Sequence, residues 1–148
     1  MIAQYILTVT VSYSHLSSIY SNQIGHFMNK LFYIEDEKKY LDIKNRLQSK
    51  NTLFLELKKT DIDNEKDLFT TISKQLKFPS YFGSNWDALH ECLSDLSWIN
   101  STEIVVLIHS VETFQKSSVG EKLFDILKYV VENWEKQGQK RFTVYAFR

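Results

Sequence analysis

Residues 78–115 contain no lysine and no arginine, although the whole chain carries 18 of these bases against 18 acids. Five acids lie in that window, Asp87, Glu91, Asp95, Glu103 and Glu112, so a formal charge of zero conceals an acidic region in an otherwise basic chain. A local field of one sign bears on partners rather than on fold. The single cysteine, Cys92, excludes an internal disulfide framework and suits a reducing cytoplasm. With four glycines in all, the chain has no phosphate-cradling glycine motif, which argues against a nucleotide enzyme. There is no HExxH, no cysteine pair and no calcium-loop pattern, so neither a metal site nor a cofactor is expected. The opening run MIAQYILTVTVSYS has no base before Lys30 and is interrupted by Gln4, Thr8 and Thr10, which fits neither a signal peptide nor a membrane span. A cytoplasmic protein without a membrane partner is expected.

What is present describes one globular domain over residues 1–148: 43% of residues are hydrophobic and 24% charged, in a chain long enough to bury a core. No repeat or low-complexity tract divides it. Tyr5, Leu7, Val9, Val11 and Tyr13 alternate with polar residues, so the extension 1–30 is expected to hold a strand, with residues 14–29 a connection. Residues 31–34 can form a short strand, and Tyr40, Ile43 and Leu47 predict a helix over about 36–49. Leu53, Leu55 and Leu57 alternate through a strand at 52–58. Asp63 or Asn64 can cap the next helix, whose buried stripe is Leu68, Phe69, Ile72 and Leu76 and which Pro79 stops. The aliphatic run 103–109 reads as a strand covered on both faces. Gly120 precedes a long helix with Leu123, Phe124, Leu127, Val130, Val131 and Trp134 at helical spacing, Gly138 caps it, and 142–147 is a last strand. Strands joined through helices need crossovers, so the expected class is α/β: a small parallel sheet of about three core strands with helices packed on it.

The stretch FPSYFGSNWDALHECLSDL, residues 78–96, leads from a proline and glycine turn into a short helix. Asp87, Glu91 and Asp95 at i, i+4 and i+8 share one face, while Leu89, Cys92, Leu93 and Leu96 form the opposite, apolar face. Each like-charge pair costs about 0.2–0.5 kcal/mol in an isolated helix, and no base within the helix relieves it. Local roles compete with a partner surface. Ser84 to Asp87 fits a capping box, so Asp87 can satisfy first-turn donors, and Glu91 and Asp95 taken singly are ordinary solvated residues. Tyr81, Phe82 and Trp86 fit either core or surface, and Gly83 either permits an unusual backbone angle or lets a partner approach. The absence of bases across the whole window favours the partner surface.

Enzymatic readings fare worse. Consecutive residues on a helix point about 100° apart, so His90, Glu91 and Cys92 cannot converge as base, orienter and nucleophile. Cys92 belongs to the apolar face, where a buried and unreactive thiol is the default. His15, His26 and His109 bring no recognisable catalytic context. No catalytic residue is therefore assigned, and a hydrolase using Asp87, His90 or Glu91 ranks last, predicting turnover by the purified chain alone. An interaction module for some other basic protein is the second reading, and its association would be lost at high salt.

Residues 78–99 also resemble the signature of the barstar family of intracellular ribonuclease inhibitors, in which Pro-x-Tyr-aromatic-Gly-x-Asn-x-Asp-Ala-Leu leads into an acidic helix. The similarity extends over residues 52–148, with 31–148 as the barstar-like body and 1–30 outside it. The resemblance implies a small parallel sheet with helices, no cofactor, no direct binding of nucleic acid, and a partner that is a basic nuclease or other toxin protein. It places Tyr81, Gly83, Asn85, Trp86, Asp87, His90 and Glu91 in the segment that enters the nuclease active site, with Asp87 and Glu91 as the central pair. Glu91 stands where the best-known member has aspartate, and His90 and Leu96 where it has tryptophan, so the resemblance does not fix the partner. A late-helix acid joins the interface in that member; Glu132 and Asn133 both stand near the corresponding position.

Overall fold

A computed structural model describes residues 8–9 and 31–148. Its strands are β1 (Thr8–Val9), β2 (Leu31–Ile34), β3 (Thr52–Lys58), β4 (Glu103–His109) and β5 (Arg141–Phe147). Its α-helices are α1 (Tyr40–Leu47), α2 (Glu65–Gln75), α3 (Trp86–Asp95), α4 (Val111–Gln115) and α5 (Ser118–Gln137). The strands form one sheet in the order β1-β2-β5-β4-β3, and every pairing is parallel. This is the mixed α/β architecture that the sequence pattern implies, with one strand more in its body than the expected three. Leu31 to Ile34 pair with Val144 to Phe147 and complete a four-stranded sheet, to which Thr8 and Val9 add an edge. The rest of the expected N-terminal strand, the connection 14–29, His15 and His26 lie outside the described residues.

Period-two alternation sorts the side chains between two cores. Leu55, Leu57, Ile104, Val106, Ile108, Phe142, Val144 and Ala146 pack against α2, α3, α4 and α5. Val105, Leu107, Tyr145 and Phe147 point the other way, onto Ile43 of α1. Since β4 lies between β3 and β5 and both of its faces are covered, its uninterrupted aliphatic sequence follows from its place.

Helix boundaries differ from expectation where local chemistry is stronger than periodicity. A single 3-10 turn, Glu37–Lys39, capped by Asp36, precedes α1. Ser110 adopts a left-handed conformation (φ 52°) and opens α4, a five-residue helix that the sequence pattern does not announce. Gly120 sits inside the first turn of α5 rather than before it, and Ser117 is the cap, its Oγ accepting from the Gly120 N–H at 3.1 Å. Glycine is required there because a Cβ would stand 1.8 Å from the Phe114 carbonyl oxygen.

At the carboxyl end of β4, His109 is buried on the α1 side of the sheet. Its Nδ1 lies 2.9 Å from Glu37 Oε1 and its Nε2 lies 3.0 Å from Glu56 Oε1. The other oxygen of Glu56 accepts from Lys44 Nζ at 3.1 Å, and the Tyr40 and Phe147 rings enclose the imidazole at 4.6 and 5.6 Å. The sequence alone offers no context for His109; the topology supplies one, tying β3, β4 and the segment leading into α1. Burial pushes the Glu56 carboxyl up, but hydrogen bonding to Tyr40, Lys44 and His109 outweighs it and holds the group below the ordinary glutamate range. A depressed carboxylate stabilises the fold above its unfolded value, and that stability is lost as pH falls through the folded value. Glu56→Gln is therefore expected to cost about 1–3 kcal/mol at neutral pH and to flatten the acid limb of a stability-against-pH curve measured by urea unfolding. An unchanged acid limb would exclude Glu56 as a source of acid lability.

Candidate functional site

The segment 76–96 is framed by three non-glycine residues in left-handed conformation, Lys77, Ser84 and Leu96. Helix α2 ends through the first of them: with Lys77 at φ 52°, the Phe78 N–H reaches back to the Ser73 carbonyl at 2.9 Å. The helix thus ends at Gln75, four residues before Pro79, and the proline instead closes the following turn, its carbonyl accepting from the Phe82 N–H at 3.0 Å. Lys77 is exposed and carries a strain that glycine lacks, so Lys77→Gly is expected to stabilise the fold by about 1 kcal/mol in chemical denaturation. No gain would show that the turn relaxes without it.

Inside this frame the aromatics divide. Phe82 packs edge-on against Phe69 and Phe78, at 6.3 and 4.9 Å between centroids. Tyr81 points outward and is 71% exposed. Desolvation, with Asp95 and Cys92 adding to it, raises its phenol above the ordinary tyrosine range.

The cap differs from the one the sequence suggests. Asn85, not Ser84, caps α3, its Oδ1 accepting from the Ala88 N–H at 2.8 Å. Ser84 instead holds the left-handed turn at φ 52°, and Gly83 beside it has no positive φ. A Cβ on Gly83 would press to 3.1 Å from the Asn85 Nδ2, so its bareness leaves room for the cap. The capping-box role of Asp87 falls away. Its exposed carboxylate makes no hydrogen bond or ion pair among the described residues, and Glu91 makes none either.

Beneath these carboxylates α3 is held firmly. Leu89, Cys92 and Leu93 are buried, and burial, with Asp95 and Glu91, pushes the Cys92 thiol up, away from reactivity. All three indole N–H groups of the chain serve this helix or its flanks. Trp86 donates to Glu65 Oε1 at 2.8 Å, Trp98 to the Leu76 carbonyl at 3.0 Å, and Trp134 to the Leu93 carbonyl at 2.9 Å. The last two satisfy carbonyls at helix ends that have no partner within their own helix. Trp86 is thereby half-buried, edge-on to Phe69 at 5.1 Å, with Lys122 over its ring at 5.5 Å. Leu96 ends α3 at φ 44° with its side chain fully buried.

The structure thus brings Tyr81, Asp87, His90 and Glu91 to one side of α3 and its loop, and turns Trp86 partly inward. It also joins to them residues that the pattern of the segment alone does not indicate. Across a groove from His90, Glu91, Ser94 and Asp95 stand Tyr129 and Gln137 of α5, with Gln139 and Lys140 beyond its end. The Tyr129 ring lies 4.5 Å from that of His90. Its signal in the sequence is slight: an aromatic lying off the buried stripe Leu127, Val130, Val131, Trp134.

Among the described residues no cluster of three or more His, Cys, Asp or Glu side chains is placed to hold a metal, and no helix is long and apolar enough to cross a membrane. No curated protein matches the chain. A protein-family model, that of barstar, the barnase inhibitor, matches residues 52–146, from β3 through the capped acidic helix into β5. With the sheet order, the acidic helix and this match in agreement, the chain belongs to the barstar family.

Proposed function

We propose that the chain is a cytoplasmic immunity protein that inhibits a basic ribonuclease, or a related toxin, by seating α3 and its preceding loop in the enzyme's active site. The observation that carries this reading is the pair Asp87 and Glu91, exposed and without partners among the described residues, on a helix anchored from beneath. A ribonuclease holds phosphate with arginine, lysine and histidine, and two carboxylates on a rigid helix can take those positions and exclude RNA. Preorganisation lowers the ordering cost of association, and the three indole hydrogen bonds supply it. Tyr81 and His90 would flank the charged pair as semi-polar contacts, Gly83 would admit the partner closely, and Asn85 and Trp86 would hold the helix start in register. Inhibition of this kind needs no chemistry from the chain, no cofactor and no contact with nucleic acid. The residues 1–148 are taken as one domain in which 31–148 forms the inhibitory body.

The reading is tested by following cleavage of a fluorogenic RNA by barnase, a basic ribonuclease, as the purified chain is added. Stoichiometric loss of cleavage is the expected result. Undiminished cleavage by barnase and by other basic bacterial ribonucleases would reject nuclease inhibition, and RNA turnover by the chain alone would favour a hydrolase.

A further inference from the structure

Far from the Asp87 and Glu91 face, the sheet ends on an outer strand. β3 pairs with β4 alone, and among the described residues no strand lies beyond it. In a parallel ladder the N–H and C=O of one residue face the same neighbour, and successive residues face opposite sides. The Asn51 carbonyl accepts from the Glu103 N–H of β4 at 3.0 Å, which fixes the phase: Leu53, Leu55 and Leu57 turn to β4, and Thr52, Phe54, Glu56 and Lys58 turn outward. Such an edge is a template for another chain unless charge, proline or a bulge guards it. The strand TLFLELK has no proline, and its register against β4 runs without a bulge. Of its two charges Lys58 stands at the very end, and the Glu56 carboxylate is held by Lys44 and His109 instead of guarding the edge.

What covers the edge is a side chain. Gln75 is the last residue of α2; its Oε1 accepts from the Glu56 N–H and its Nε2 donates to the Glu56 carbonyl, both at 2.8 Å. A carboxamide carries donor and acceptor in one plane, as a peptide unit does, so Gln75 fills the place of one residue of a further strand. Turned over, the amide would set donor against donor and acceptor against acceptor, which fixes its orientation. At the start of β3 the Thr52 N–H is already met by the Ser49 carbonyl at 3.3 Å. Phe54 and Lys58 are thus divided by the Gln75 amide and offer no continuous run to a pairing strand. Without that amide, the occupant the edge suits is its own copy. Two β3 strands laid antiparallel about a two-fold axis at Leu55 set Phe54 opposite Glu56 and Thr52 opposite Lys58, so every outward residue finds a partner and no like charges meet.

We propose that the Gln75 carboxamide is a latch over the β3 edge, which keeps the chain from pairing with a second copy through this strand. The full chain, labelled with nitrogen-15, is followed by amide hydrogen exchange and by sedimentation equilibrium, beside the variants Gln75→Met and Gln75→Leu. In the unaltered chain the Glu56 amide is expected to exchange as slowly as those of Leu55 and Leu57, which face β4, and the mass to stay that of a monomer at every concentration. Both variants keep a good helix former at the end of α2 and lack the amide. Their Glu56 amide is expected to exchange about tenfold faster or more in dilute solution. Their mass is expected to double on concentration, with the Phe54, Glu56 and Lys58 amides then becoming protected. A Glu56 amide that exchanges freely in the unaltered chain would overturn the latch without recourse to any variant, and so would an unaltered chain that already pairs through β3. Variants that stay monomeric when concentrated, or that associate while those three amides remain open, would overturn it as well.

Discussion

Alanine at both Asp87 and Glu91 is expected to abolish inhibition of a basic ribonuclease while leaving the fold intact. Truncating one partner of a close interfacial charge pair costs about 2–5 kcal/mol, a range to which the barnase complex of this family itself contributes. Loss of both carboxylates is then expected to weaken binding by at least about 4 kcal/mol, roughly a thousandfold in Kd. Stability should move little, and upward if at all. Neither side chain has a partner to lose among the described residues, and removing like charges at i, i+4 relieves about 0.2–0.5 kcal/mol of repulsion. The check is a Kd from titration beside a thermal melt. Retained inhibition would remove this face from the account, and a lowered Tm would give the two carboxylates a structural role.

Trp134→Ala is expected to act in the opposite way, by releasing the support of α3. The side chain is 2% exposed and its indole N–H meets the Leu93 carbonyl at the end of α3. Emptying such a site costs about 3–5 kcal/mol, which for a chain of this length lowers Tm by about 10 °C or more. Trp134→Phe separates volume from hydrogen bond. It keeps most of the packing but strands a buried carbonyl, for about 1–3 kcal/mol measured by urea unfolding. If phenylalanine is as stable as tryptophan, that carbonyl has found another partner and the tie between α5 and α3 is dispensable.

Much of this arrangement is legible before any coordinates. The alternation of Leu53, Leu55 and Leu57 and the unbroken run Ile104 to Ile108 place two strands correctly, because burial on one face or on both writes different patterns into a strand. The i, i+4, i+8 spacing of Asp87, Glu91 and Asp95 likewise yields one exposed face over buried Leu89, Cys92 and Leu93. What resists reading is chemistry in which near neighbours compete. Ser84 and Asn85 are both good caps, and only the backbone decides that serine takes the left-handed turn and asparagine the cap. Long-range meetings resist as well. His109 finds Glu37 and Glu56, and Tyr129 finds His90, because sheet order and helix packing bring distant segments together, and no local spacing encodes that.

The Asp87 and Glu91 face is proposed to occupy a phosphate-binding active site. The most direct measurement is the apparent Kd of the chain for barnase at increasing concentrations of a guanosine 3′-monophosphate competitor. Mutual exclusion is predicted, with apparent Kd rising in proportion to nucleotide concentration above the nucleotide's own dissociation constant. An apparent Kd that does not change, with chain and nucleotide bound to the enzyme together, would contradict it.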